Sequence, residues 1–192
     1  NAREAADDVE ERFGRRPTVY TDYQELLRRE TLDGADLCLP VGLHHGIAID
    51  CLEAGVPVLC EKPLGITVKA ARRMIEASER SGLILSTAHQ IRRQVASRAV
   101  RWLLRERRLI GEPVTFFHQV AEEFPRGGPR PSPIPWPEAR LMHGGGSLLI
   151  CGVHYFDSMR YLFGNVDRVY ARVRQLGPQG AQPPEAAREN AV

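Results

Sequence analysis

Only two of the 26 positively charged residues in this 192-residue sequence are lysine, Lys62 and Lys69. Lys62 stands between Glu61 and Pro63, directly after the apolar run "VPVLC". Arginine keeps its proton at any accessible pH, whereas lysine can be shifted towards neutrality and can hand on a proton. A sequence that writes nearly every cation as arginine has kept lysine at this place, and its surroundings decide what that means. Glu61-Lys62-Pro63 is one of three groups that each follow a short strand-like run. The others are Pro40, after "ADLCL", and His89-Gln90, after "LILSTA".

The intervening segments explain why these groups should meet. "RPTVYTD" predicts a short strand and "YQELLRRETLDG" a helix ending near Gly34. "ADLCLPV" predicts a buried strand, "LHHGIAIDCLEAG" a helix closed by Gly55, and "VPVLCEKP" the next strand. "TVKAARRMIEASERSG" then predicts a helix with Thr67 as N-cap and Gly82 past its end, and "LILSTAHQ" another strand. Short apolar strands alternating with helices indicate parallel βαβ units and hence a doubly wound sheet. Ligands of such sheets bind beyond the carboxyl ends of the strands, so the three groups should share one rim.

After residue 91 the pattern changes. "VASRAVRWLLRERRLIG" predicts a long amphipathic helix, and its basic part, Arg101 to Arg108, a solvated face. "EPVTFFHQV" and "NVDRVYARVRQL" alternate as half-exposed antiparallel strands do. Between them lie "GGGSLLICGVHYFDSMRYLFG", a glycine-led helix, and a segment from Ala121 to His143 that holds six of the 14 prolines. A stretch of that length without an element of its own is expected to be a lid or binding loop. The chain thus divides into an α/β domain, residues 1–91, and an α+β domain with an open, mostly antiparallel sheet, residues 92–192.

Composition narrows the function. With a net charge of +2 and arginine interspersed among acids, nothing calls for nucleic acid. No apolar stretch approaches the roughly 20 residues of a membrane-spanning helix, and no signal peptide is visible. Cys38, Cys51, Cys60 and Cys151 form no CxxC pair and sit in apolar contexts, which predicts buried, reduced thiols, a cytoplasmic location and no metal. The sequence opens without Met in a helix-like segment and closes where a strand should begin, so both ends are read as cut from a longer protein.

"AGVPVLCEKPLGITVKAA", "STAHQIRR", "LIGEP" and "HGGGSLLICGVHYFDSMRYLFG" occur in the order and spacing of the Gfo/Idh/MocA oxidoreductases. These are sugar- and polyol-handling dehydrogenases related to glucose–fructose oxidoreductase and inositol dehydrogenase. The resemblance extends over essentially the whole chain. It implies a Rossmann domain for NAD or NADP, here without its first strand, its GxGxxG turn and the acidic ribose-binding position. It further implies a C-terminal open sheet that docks a carbohydrate or polyol and pairs subunits into a homo-oligomer.

Position by position, the resemblance implies that Pro40 and His44 form the P-x-x-x-H beside the cofactor, although His44 equally fits a residue that caps its own helix. Glu61, Lys62 and Pro63 match the EKP tripeptide, whose lysine reaches both nicotinamide and substrate. His89 and Arg92 match positions beside the cofactor, and for Arg92 an ion pair is the competing role. His154 matches the catalytic histidine. His45, His118 and His143 match nothing and are taken as structural or solvated. In many of these dehydrogenases an aspartate stands four residues before the histidine, on the same helical face. This chain has Ile150 there. Asp157, three residues after His154, can take over the orienting task or can meet an arginine. In the proline-rich segment, Trp136 offers an apolar face for a sugar ring, or an anchor for the loop itself. Arg140 offers a fork for a carboxylate or hydroxyls.

The chemistry agrees with this reading. Oxidising a secondary alcohol requires the hydroxyl proton to leave as hydride departs from the same carbon. Histidine removes such protons most often, and a lysine ammonium stabilises the developing alkoxide. The loss of an acid at position 150 keeps two alternatives open. One is a nucleotide- and sugar-binding regulatory module, and the other is a redox-neutral, NAD-dependent glycosidase of the same fold.

Overall fold

The computed structural model describes residues 2–119, 148–149 and 151–172. Helix α1, Ala2–Phe13, ends at Gly14, whose φ of 70° lies in the left-handed region. The segment read as a first strand, Arg16 to Asp22, is irregular instead. It is largely exposed, and a strand needs a hydrogen-bonding neighbour that this segment does not meet among the described residues. Helix α2, Tyr23–Arg29, starts where the Asp22 carboxylate accepts from the Gln24 amide at 2.9 Å.

Three parallel strands follow, β1 (Ala35–Leu37), β2 (Val58–Cys60) and β3 (Leu85–Thr87), in the spatial order 1-2-3. Leu37 is level with Cys60, and Cys60 with Thr87. The strands are linked by α3 (Val41–Glu53) and α4 (Val68–Ser81). In α4 the Thr67 hydroxyl accepts from the Ala70 amide at 3.1 Å, and Gly82 ends the helix at φ 68°. Its buried residues Ala70, Met74 and Ala77 recur at i, i+4 and i+7, one face of a 3.6-residue period. That face meets α3, whose Ala48, Cys51 and Leu52 complete a core with Leu37, Val56, Val58 and Cys60. The Tyr23 hydroxyl donates to Asp50 at 2.6 Å and ties α2 to α3.

A 3₁₀ turn, Gln90–Arg93, leads from β3 into α5, Val95–Arg105, which packs against α6, Gly152–Phe163. The basic segment is only partly the solvated face expected. Arg101 donates to the Tyr161 carbonyl, and Arg105 Nε donates to that of Leu162 at 2.9 Å. These two cations satisfy carbonyls at the C-terminal end of α6, where cations are favourable. Residues 112–119 and 165–172, read as alternating strands, form no strand among the described residues. The first of these segments instead lays Phe116 against Phe163 at 4.9 Å and His118 against Tyr155 at 5.1 Å, centroid to centroid. The remainder of the two segments, residue 120 and residues 173–176, lies outside the described residues.

Cys51 and Cys60 are buried thiols as expected, whereas Cys38 is exposed and Cys151 half-buried. Cys38 lies just beyond the carboxyl end of β1. Among the described residues, no helix is long and apolar enough to cross a membrane, and no group of three or more His, Cys, Asp or Glu residues is placed to hold a metal ion.

Candidate active site

The carboxyl ends of the strands are stitched together by backbone hydrogen bonds. The Glu61 amide donates to the Leu37 carbonyl at 3.0 Å, and the Ala88 amide to that of Cys60 at 2.8 Å. Pro40, Glu61-Lys62-Pro63 and His89 therefore emerge side by side on one rim. The Lys62 amide donates to the Glu61 carboxylate at 3.0 Å, so Glu61 shapes the turn that presents the lysine. The Lys62–Pro63 peptide bond is cis.

His44 does not open onto this rim. It is 1% exposed, with Nδ1 3.0 Å from the Pro63 carbonyl and Nε2 2.8 Å from that of Leu39. Side chains in the first turn of a helix lean back towards its N-terminus, which brings this ring beneath both loops.

Helix α6 delivers His154 and Asp157 to the same rim. The His89 and His154 rings meet edge to face, 6.3 Å between centroids. Asp157 accepts from Arg92 Nε at 2.7 Å and again from Arg92 Nη2, and its carboxylate lies 3.9 Å from His89 Nε2. No hydrogen bond joins it to His154. Of the two roles open to Asp157, meeting an arginine is the one the geometry realises. Arg92 also lies over the Tyr161 ring, 5.2 Å from its centroid. A cavity of about 420 Å³ lined by Arg92, Arg93, Arg98 and Tyr161 adjoins the cluster. Trp136, Arg140, His143 and Ile150 lie outside the described residues.

The electrostatics favour neutral imidazoles. Burial holds His154 below its ordinary value of 6.5, and the Lys62 ammonium and His89 push the same way. Burial likewise lowers His89, while the Asp157 carboxylate opposes it. Nδ1 of His89, of His154 and of His45 is buried without a hydrogen-bond partner. These ring nitrogens leave polar demand unmet beside the strand ends, where ligands of parallel sheets bind. His45 carries a third such nitrogen, although no sequence signal marked it. Sequence offered an ion pair for Arg92 and an arginine for Asp157, but nothing in a spacing of 65 residues says that each is the other's partner.

Comparison with known proteins completes the picture. Residues 1–89 match the oxidoreductase family with NAD-binding Rossmann fold, Gfo/Idh/MocA, and residues 97–191 match the Gfo/Idh/MocA C-terminal domain. The chain is 33% identical to 1,5-anhydro-D-fructose reductase from Ensifer adhaerens over 144 residues, 74% of this chain and 41% of that protein. It is 29% identical to myo-inositol 2-dehydrogenase from Thermotoga maritima, over 80% of this chain and 43% of that protein. A levoglucosan dehydrogenase structure in complex with NADH and levoglucosan matches with a TM-score of 0.63 and 25% identity, over 85% of this chain and 43% of that one. The chain thus spans less than half the length of the curated relatives it matches.

Proposed function

The chain belongs to the Gfo/Idh/MocA oxidoreductase family, and from that premise we propose that the whole protein is an NAD- or NADP-dependent oxidoreductase. Its substrate would carry a secondary hydroxyl on a sugar, polyol or inositol-like ring. The observation that carries this reading is the convergence of Lys62, His89 and His154 on one rim, with two buried ring nitrogens lacking partners. Pro40, Glu61 to Pro63, His89 and Arg92 would flank the nicotinamide, which when bound takes up or supplies the hydride.

The chain's own residues would handle the proton. His154, held neutral by burial and by Lys62, accepts it from the hydroxyl through a ring nitrogen. Lys62, as the ammonium, would donate to the same oxygen and stabilise its developing charge, then release one of its own protons outwards and take up the one that His154 carries, so that both groups end as they began. Asp157 acts indirectly here. It fixes Arg92, and with it the turn that carries His89. Trp136 and Arg140 are proposed to face the substrate. Residues 1–91 would serve the cofactor and 92–192 the substrate, in a soluble, cytoplasmic homo-oligomer that pairs through an open C-terminal sheet.

The absence of an acid at Ile150 favours a second reading, a binding module without turnover. Incubating full-length protein with NAD or NADP and a panel of sugars and polyols, while following reduced nicotinamide by absorbance, tests both. Stoichiometric reduction is the expected result. Binding without any reduced cofactor would leave the regulatory module, and bond cleavage without net reduction the glycosidase.

A further inference from the structure

We propose that His44 is a positioning residue for Lys62, tethering the lysine's turn to the end of the neighbouring strand rather than contacting the cofactor. The inference rests on the reading that Lys62 reaches the reacting atoms.

His44 is buried against two backbone carbonyls, and these belong to two different loops of the rim. Leu39 O follows β1, and Pro63 O follows β2 one residue beyond Lys62. Both partners are carbonyl acceptors, so the ring holds by donation from Nδ1, Nε2 or both.

The rest of the turn shows why this contact matters. The Glu61 amide is held by Leu37 O, and the Lys62 amide by the Glu61 carboxylate. Both contacts lie on the N-terminal side of the lysine. Pro63 is buried and has no amide hydrogen, so its carbonyl is what His44 can hold on the other side. With both flanks fixed, the Lys62 backbone has one place, and its ammonium is near enough for its charge to act on His154 and His89. Catalytic groups need placement to about half an ångström, and a shift of about 1 Å costs about a hundredfold. The P-x-x-x-H spacing is thereby explained without a ligand. His44 stands on the first turn of α3, four residues after Pro40, so its ring reaches back past the start of the helix.

Reductive ¹³C-methylation of the full-length protein labels its lysines, and the Lys62→Arg and Lys69→Arg variants assign the signals of Lys62 and of the exposed Lys69 in a carbon–proton NMR spectrum. In His44→Leu the Lys62 signal is expected to move while the Lys69 signal stays. Unlabelled His44→Leu should bind nucleotide within about twofold of wild type by fluorescence titration and turn over at least about tenfold more slowly. His44→Gln, which keeps an amide donor, should show a smaller displacement and recover part of the turnover. It also supplies the measurement if His44→Leu does not fold. An unmoved Lys62 signal in the folded variants overturns the proposal, as does equal movement of both lysines. A displaced Lys62 signal with unchanged turnover would keep the tether and sink the catalytic role of Lys62 instead.

Discussion

Arg92 grips Asp157 with two hydrogen bonds, one from Nε to Oδ2 at 2.7 Å, across 65 residues of chain. The pair joins the 3₁₀ turn after β3 to helix α6, and so holds His89 next to His154. The Asp157 side chain is only 10% exposed. A carboxylate so placed is costly to leave without its partner.

Two effects of Asp157→Asn follow. Hydrogen bonds to charged groups contribute about 1.5–3 kcal/mol, and Arg92 is partly exposed, so the variant should lose roughly 2 kcal/mol in denaturant unfolding. The carboxylate also raises both imidazoles against their burial. Removing its charge should move the acidic limb of the pH–rate profile to lower pH. A profile that stays in place while stability falls would reduce Asp157 to an anchor.

Lys62→Arg separates charge from proton transfer. Guanidinium keeps the positive charge and adds donors, but does not deprotonate in proteins. Nicotinamide affinity should stay near normal by fluorescence titration. Turnover should fall at least about a hundredfold, the low end for losing a proton-transfer group. Activity within a few-fold of wild type would make Lys62 an electrostatic anchor only.

Acid should loosen the fold through the two imidazoles. Both are held below 6.5, chiefly by burial, so they are neutral in the folded state where the unfolded chain already binds protons. Stability contributed by the neutral forms is complete above about pH 6.5 and is lost as pH falls through the folded values. The thermal midpoint should drop between about pH 7 and pH 5. The drop should shrink in His89→Gln/His154→Gln. An equal drop in both proteins would assign the acid sensitivity to other groups.

Thiol reactivity should follow burial. Cys60 is fully buried and its thiol is pushed up to about 12, mainly by desolvation. Cys51 is buried and raised in the same way. Cys38 is exposed, although its thiol is raised too. Alkylation of the native protein, read by mass spectrometry, should mark Cys38 well ahead of Cys51 and Cys60. Early labelling of Cys60 would contradict the packing of β2.

Local signals in the sequence carried much of the architecture. Thr67 and Gly82 mark the ends of α4 because an N-cap oxygen and a left-handed glycine act within one helical turn. The parallel order of β1, β2 and β3 follows from strands that alternate with helices, and that order alone puts Pro40, Lys62 and His89 on one rim. A strand with no neighbour cannot be foreseen in this way. Arg16 to Asp22 reads as a short strand, and residues 112–119 and 165–172 alternate as strands do, yet pairing depends on segments far away in the chain. The same holds for side-chain choices. Sequence placed Asp157 one turn from His154, where helical geometry allows contact. Tertiary packing gave its oxygens to Arg92, because a guanidinium fork offers two charged donors where an imidazole offers one. Sequence also left His44 between cofactor and cap. Its burial under two loops decided for backbone carbonyls, since a ring without solvent must satisfy its nitrogens with whatever the fold brings within reach.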